Sequence, residues 1–288
     1  MTTNINEVLQ SINKDTWIIS DTHFGHKNIL SFESCRLTQM RIDGYDADEH
    51  DKWLVDKWNS IIKEDDTVLH LGDLAFKSGF DKPELLELYS IFKYTSLKSF
   101  KMKMKLIKPK TLNEIKNTIF PNDGEMELEQ FKSIISNYID EKEYFTRYKD
   151  LLNGNIILVL GNHDPKAYEN KLNGISVIDG FYWEQGDILN KVHNPIPNDR
   201  MLSGFIKEID GKKLLFCHYD IFTSDYWDRQ NKRIAPRIKV LNKIFINHKC
   251  NTLIHGHTHS TPSCSKENSI NVSFEQLNFR PQRLKSLL

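Results

Sequence analysis

The chain lacks the marks of a secreted or membrane protein. Its four cysteines, Cys35, Cys217, Cys250 and Cys264, are scattered over 288 residues, and none forms a C-x-x-C pair. That argues against a disulfide framework and against a thiolate zinc site, and leaves idle or buried thiols in a reducing compartment. No run of about eighteen apolar residues occurs, so no membrane span is expected. Met1 to Asp15 is polar, without the apolar core of a secretory signal. A cytoplasmic location is the expectation. Charge of neither sign dominates, with 39 Lys plus Arg against 39 Asp plus Glu. Bulk charge therefore does not point to a nucleic-acid or membrane partner, and any electrostatic argument must be local.

Apolar residues are plentiful: 39% of the chain is hydrophobic and 11% aromatic. A chain of this length allows one large α/β domain or two small ones, with a core of ordinary size. Short apolar runs recur at Thr16 to Ser20, Thr67 to Leu71, Ile156 to Leu160, Lys213 to Phe216 and Asn251 to Ile254. Each is rich in Ile, Leu and Val, as expected of a buried strand. Helical patterns lie between them. Asp46 to Ile62 places Trp53, Lys57, Trp58, Ile61 and Ile62 at helical spacing, with Asp46 or Asp48 available as a cap. Strands alternating with helices predict a layered α/β fold.

Every run ends in a polar cluster. Asp21-Thr22-His23 follows the first, Gly72-Asp73 the second and Gly161-Asn162-His163-Asp164 the third; His218 follows the fourth and Gly256-His257-Thr258-His259 the fifth. In open α/β sheets ligands bind beyond the carboxyl ends of the strands, where loop side chains are positioned by a rigid sheet. Carboxylate, imidazole and amide oxygen are the groups that hold divalent transition metals. One D-x-H on its own reads as a solvated loop, and one histidine as a satisfied core residue. Five such clusters in order, each at a strand end, read as a metal site.

Residues 90–143 do not follow the alternation. Phe100, Met102, Met104 and Leu106 alternate with lysines, which predicts a strand with one basic face. Thr111 to Glu114 is a capping box opening a helix through Ile119, and a second helical pattern runs from Glu125 to Leu152. This is read as a subdomain inserted into a single domain of residues 1–288. The lysine stretch reads either as an exposed strand blunted against aggregation or as a face for a phosphate-rich substrate.

The series D-x-H, G-D, G-N-H-D, H, G-H-x-H resembles the calcineurin-like metallophosphoesterase superfamily. The segments Asp21 to Ile29, Trp58-Asn59, His70 to Asp73, His255 to His259 and Asn271-Val272-Ser273 are similar to a bacterial and phage branch of it. The likeness covers roughly Trp17 to Phe76 and Tyr144 to Pro281. It implies a four-layer α/β/β/α sandwich of two facing sheets and two divalent metal ions: manganese first, with iron, nickel, cobalt or zinc also suited to such ligands. It also implies that Asp21, His23 and His259 hold one ion, that Asn162, His218 and His257 hold the other, and that Asp73 bridges them. One departure is Asp220, where the branch usually has proline, which bears on the loop after His218.

The implied activity is hydrolysis of a phosphoester by hydroxide shared between the ions. His163 is assigned to the leaving group, as a proton donor beside Asn162. Asp164 either orients His163 or makes a turn before Pro165. His26 and Arg36 are candidates for holding substrate phosphate. A phosphodiesterase acting on a nucleotide or nucleic acid is the leading reading. The alternative is a phosphomonoesterase acting on small molecules or proteins, since the metal ligands serve both. A catalytically silent binding scaffold would show missing ligands or a replaced His163, and neither is found.

Overall fold

The computed structural model describes residues 4–26, 28–76, 148–164, 174–185, 188–191, 202–261 and 268–288. The expected elements of the insertion lie outside them, except that 148–151 are helical. Two mixed sheets flanked by helices make up the fold. The first has the order β11-β1-β2-β3-β4: Gln282–Arg283 (β11), Trp17–Ile19 (β1), Thr67–His70 (β2), Asn155–Val159 (β3) and Ile175–Ile178 (β4). The second has the order β10-β9-β8-β7-β5-β6. These strands are Ser269–Asn271 (β10), Thr252–His255 (β9), Lys212–Cys217 (β8), Gly204–Ile209 (β7), Phe181–Gln185 (β5) and Ile188–Lys191 (β6).

All five sequence-predicted strands are present, as β1, β2, β3, β8 and β9. Of the strands not foreseen, β4, β6, β10 and β11 are short or half-exposed, while β5 and β7 have their apolar residues interrupted by charged ones, Glu184 in β5 and Lys207 and Glu208 in β7. β8 shows why the two sheets face one another. Its Leu214 and Phe216 enter the core shared with Ile18, Val68 and Leu158 of the first sheet. Its Leu215 and Cys217 point the other way. There they meet Leu241 and Ile244 of the helix Ile234–Asn247 (α6). Period-two alternation thus supplies one face to the neighbouring sheet and one to a covering helix.

On the far side of the first sheet lies the helix His50–Asn59 (α4), preceded by a single 3-10 turn at Ala47–Glu49. The Glu49 carboxylate accepts the Asp46 N–H at 3.0 Å, which fixes the entry. Trp53 and Trp58 are fully buried, and both indoles keep a partner: Trp53 donates to Asp43 Oδ2 at 2.8 Å and Trp58 to the Asn153 carbonyl at 2.9 Å. Burying each large apolar side chain contributes about 1.5–3 kcal/mol.

β1 to β4 run parallel, as do β8 to β10, so their carboxyl ends emerge together. A bridge between Ser20 and Ser273 joins the ends of β1 and β10 across the two sheets. All five polar clusters sit at this shared edge.

Candidate metal centre

Asp21, His23 and His259 offer ligand atoms that lie within 4.8 Å of one another, and so do Asp21, Asp73 and His218. The Asp73 Oδ2 atom stands 3.6 Å from His23 Nε2 and 3.4 Å from His218 Nε2, between the two groups. Asn162 Oδ1 lies 3.0 Å from His218 Nε2, and the His257 ring stands 5.0 Å from that of His218. The structure therefore gathers all seven predicted ligands in one place.

The backbone there is unusual. Nine described non-glycine residues have positive φ, and five of them are Asp21, His23, Asp73, His257 and His259. Left-handed backbone is uncommon outside glycine and clusters at functional sites. The chain curls at both residues of the D-x-H cluster rather than continuing as extended strand. The curl is stitched to the next loop: Asp21 N–H donates to the Gly72 carbonyl and His23 N–H to the Asp73 carbonyl, each at 3.0 Å. Two glycines allow the close approach of the loops. A Cβ on Gly161 would overlap the Asp73 carboxylate, and one on Gly256 would overlap Ser20 Oγ and Asp21 Oδ2.

The histidines are oriented from outside. His218 Nδ1 faces the Leu71 carbonyl at 2.8 Å, which leaves Nε2 directed at Asp73 and Asn162. His259 Nδ1 faces Glu275 Oε1 at 3.2 Å, leaving Nε2 directed at Asp21. His257 is held through the other nitrogen, with Nε2 at 3.0 Å from Asp228 Oδ1. A carboxylate on the far ring nitrogen fixes tautomer and orientation. Glu275 and Asp228 were not foreseen. Glu275 lies just beyond the Asn271-Val272-Ser273 segment, and that proximity was the only signal for it. Within that segment, Ser273 Oγ donates to Asp21 Oδ2 at 3.0 Å and Asn271 Nδ2 to Thr258 Oγ1 at 2.8 Å.

The electrostatics follow from burial and the shared carboxylate. Burial holds His23 well below the ordinary imidazole range, so the ring stays neutral and one nitrogen keeps a free lone pair. Burial works against protonation of His218 too, but the Asp73 carboxylate outweighs it and lifts the group to about 9. Asp73 is held well below the carboxylate range: burial raises it, and His218 overrides that. His259 moves upward, because Asp21 and Glu275 overcome its burial.

Two predicted roles change. Arg36 is not at a substrate surface. It is fully buried on the helix Ser34–Ile42 (α3), with Nε on Glu275 Oε1 at 2.6 Å, Nη1 on the Thr22 carbonyl at 2.8 Å and Nη2 on the Asp21 carbonyl. Asp164 does not bond to the His163 ring. Its Oδ2 accepts the N–H of Asp73 at 2.8 Å and of Gly161 at 2.7 Å, and its Oδ1 accepts the N–H of Leu74 at 3.1 Å. Burial and the nearby Asp73 push its carboxyl up to about 7. The two oxygens of this one carboxylate satisfy three backbone amides.

His163 is exposed at the lip, 5.5 Å from the His23 ring and 6.4 Å from the His26 ring. Its backbone N–H donates to Asp73 Oδ1 at 2.8 Å. His26 packs on Phe76 at 4.3 Å, and its imidazole is lowered to about 4, by burial first and the neighbouring His163 second. The loop after His218, where proline was the norm, is closed by Asp220 itself, which accepts the Phe222 N–H at 2.9 Å. His70 and His255 are buried inside β2 and β9; His70 Nε2 lies 3.0 Å from Thr22 Oγ1, and His255 Nδ1 lies 2.8 Å from the Gly256 carbonyl.

A model of the calcineurin-like phosphoesterase family matches residues 15–261, and the chain belongs to that family. Among curated proteins, it is 39% identical over 71 residues to the Gene 66 protein of Mycobacterium phage L5, a match covering 25% of this chain and 30% of that protein. It is 36% identical over 74 residues to an uncharacterized protein of Methanocaldococcus jannaschii, covering 25% and 38% respectively. The matched segments thus span about a third of each curated relative. A crystal structure of a protein of unknown function from Aquifex aeolicus is similar over 92% of this chain and 93% of that one, at 21% identity and a TM-score of 0.47. No described helix is long and apolar enough to cross a membrane.

Proposed function

We propose that the protein hydrolyses phosphodiesters, in a nucleotide or nucleic-acid substrate, at a centre that holds two divalent ions. The observation that carries this reading is Asp73 Oδ2, set between His23 Nε2 and His218 Nε2 at 3.6 and 3.4 Å. One carboxylate oxygen facing two histidine groups is the disposition a bridging ligand needs. The donor set also fits metal on its own terms. Asp21 Oδ1 and both ring nitrogens of His23 are buried without a hydrogen-bond partner. Buried polar atoms left unpaired are costly, and a cation would satisfy Asp21 Oδ1 and the lone pair of one His23 nitrogen.

Asp21, His23 and His259 would hold one ion, Asn162, His218 and His257 the second, and Asp73 would face both. Ions bound there supply acidified water and neutralise charge on the phosphoryl oxygens. The chain's own residues do the rest. Gly161 and Gly256 let the loops close tightly, which limits water around the carboxylates. His163, exposed beside the centre, delivers a proton to the departing oxygen. His26 lines the same lip on the side of Phe76 and touches the substrate's phosphate as a neutral imidazole. Manganese is the first ion to try, because mixed nitrogen and oxygen ligands without thiolate suit it.

The test compares bis-p-nitrophenyl phosphate with p-nitrophenyl phosphate, using metal-stripped protein reconstituted with Mn²⁺. Preferred turnover of the diester supports the reading. Preferred turnover of the monoester replaces it with a phosphomonoesterase. Failure of both substrates across several metals, in a folded chain, points to a binding scaffold.

A further inference from the structure

We infer that Arg36 and Glu275 form a buried positioning pair that assembles the ligands of the first ion, Asp21, His23 and His259, and leaves those of the second untouched. The inference rests on the two-ion reading above. The guanidinium sits where three chain segments meet. Its Nη2 donates to the Asp21 carbonyl and its Nη1 to the Thr22 carbonyl at 2.8 Å, so it grips the backbone of the D-x-H curl from below. Its Nε donates to Glu275 Oε1 at 2.6 Å. That same oxygen faces His259 Nδ1 at 3.2 Å. One cation therefore fixes the left-handed turn at Asp21 and His23 and, through one carboxylate, the ring of His259.

The pair is sealed. The side chains of Arg36 and Glu275 are 0% and 2% exposed, and Arg36 Cζ lies 5.2 Å from the centre of the Phe274 ring. A group so enclosed does not meet substrate, so its role is exercised through the ligands. Lysine could not replace it, because a single ammonium lacks the planar fork that reaches three acceptors in fixed directions. Among the described residues no such bond links Arg36 to the second set: the ring of His218 is held by the Leu71 carbonyl and that of His257 by Asp228. The rings of the two halves thus have separate outer supports, while the backbone N–H of His257 donates to Asp21 Oδ2 at 2.9 Å. Removing an outer partner of a ligating histidine costs about 10- to 100-fold in metal affinity.

The experiment is calorimetric titration of Mn²⁺ into the metal-stripped full chain, for wild type and for the double variant Arg36→Met/Glu275→Leu. Removing both charges together avoids leaving one buried and unpaired, which would unfold the protein for a trivial reason. Thermal melts of the metal-free proteins monitor folding. The expected result is two binding events in wild type, one weakened about 10- to 100-fold in the variant and the other unchanged. Both events unchanged, or both weakened equally, overturns the inference. Should the double variant fail to fold, Arg36→Lys keeps the charge but loses the fork, and the same one-sided weakening is expected of it. A wild-type chain that binds no Mn²⁺ contradicts the two-ion reading itself, a result distinguishable from the others.

Discussion

The backbone N–H of Asp73 is held by the side chain of Asp164, at 2.8 Å. The carboxylate of a G-N-H-D segment therefore clamps the loop that carries the shared ligand. Replacing Asp164 with Asn puts an NH₂ group where at least one of three amides now donates. Leaving such a buried donor unsatisfied costs about 1–3 kcal/mol. Asp164→Asn should therefore lower the melting temperature of the metal-free protein. A variant with unchanged stability and an altered pH–rate profile would instead restore the role of orienting His163.

His163 offers the complementary case. Its ring is exposed, and its backbone, not its side chain, supports Asp73. His163→Ala should leave stability and Mn²⁺ affinity as they are. Its kcat on the diester should fall by roughly 10²- to 10⁴-fold, the usual contribution of a positioned acid or base. An unaffected kcat would remove it from the leaving-group step.

Gly256 has no room for a side chain, because a methyl group would press on Ser20 and Asp21. Both neighbours are fully buried and anchored: Ser20 Oγ donates to the Leu71 carbonyl at 3.0 Å, and Asp21 accepts from Ser273. Gly256→Ala should cost about 1–3 kcal/mol by overpacking. Because the displaced atoms belong to Asp21, Mn²⁺ affinity should fall with stability. A melt at the wild-type temperature would contradict this.

Asp51 gives a pH-dependent expectation away from the metal ligands. Its half-buried carboxylate accepts the Gly25 N–H at 2.9 Å and the Tyr148 hydroxyl at 2.8 Å. Burial raises its pKa, but the paired His50 outweighs that, and these two donors add to the net shift below the ordinary value. A lowered folded-state pKa gives stability that is present above the unfolded value and lost as pH falls through the folded one. Asp51→Asn should be less stable than wild type near neutral pH, and the gap should narrow below about pH 4. Chemical denaturation across that range checks it; a gap independent of pH would show that the charge plays no part.

Much of this could be read from the sequence, and the exceptions have physical reasons. Strands β1, β2, β3, β8 and β9 are continuous apolar runs, so their ends, and with them the ligand clusters, were visible. Short edge strands such as β6, half-exposed, give no such run. Glu275 and Asp228 stayed hidden because a carboxylate that orients a histidine needs only to lie within reach of its far nitrogen, at any sequence distance. Arg36 was misplaced for a related reason: an arginine near a phosphate site suggests phosphate, and only the burial of its guanidinium against two carbonyls shows otherwise. The left-handed turns at Asp21 and His23 come from stitching to the Asp73 loop, which local sequence does not encode.

The most direct test of the two-ion reading is the Mn²⁺ stoichiometry of the wild-type chain and of Asp73→Asn. Two ions per chain in wild type, with a loss of affinity at both sites in the variant, is the predicted result, because Asp73 faces both groups of ligands. A single ion per chain, or two ions whose binding is indifferent to Asp73→Asn, would contradict it.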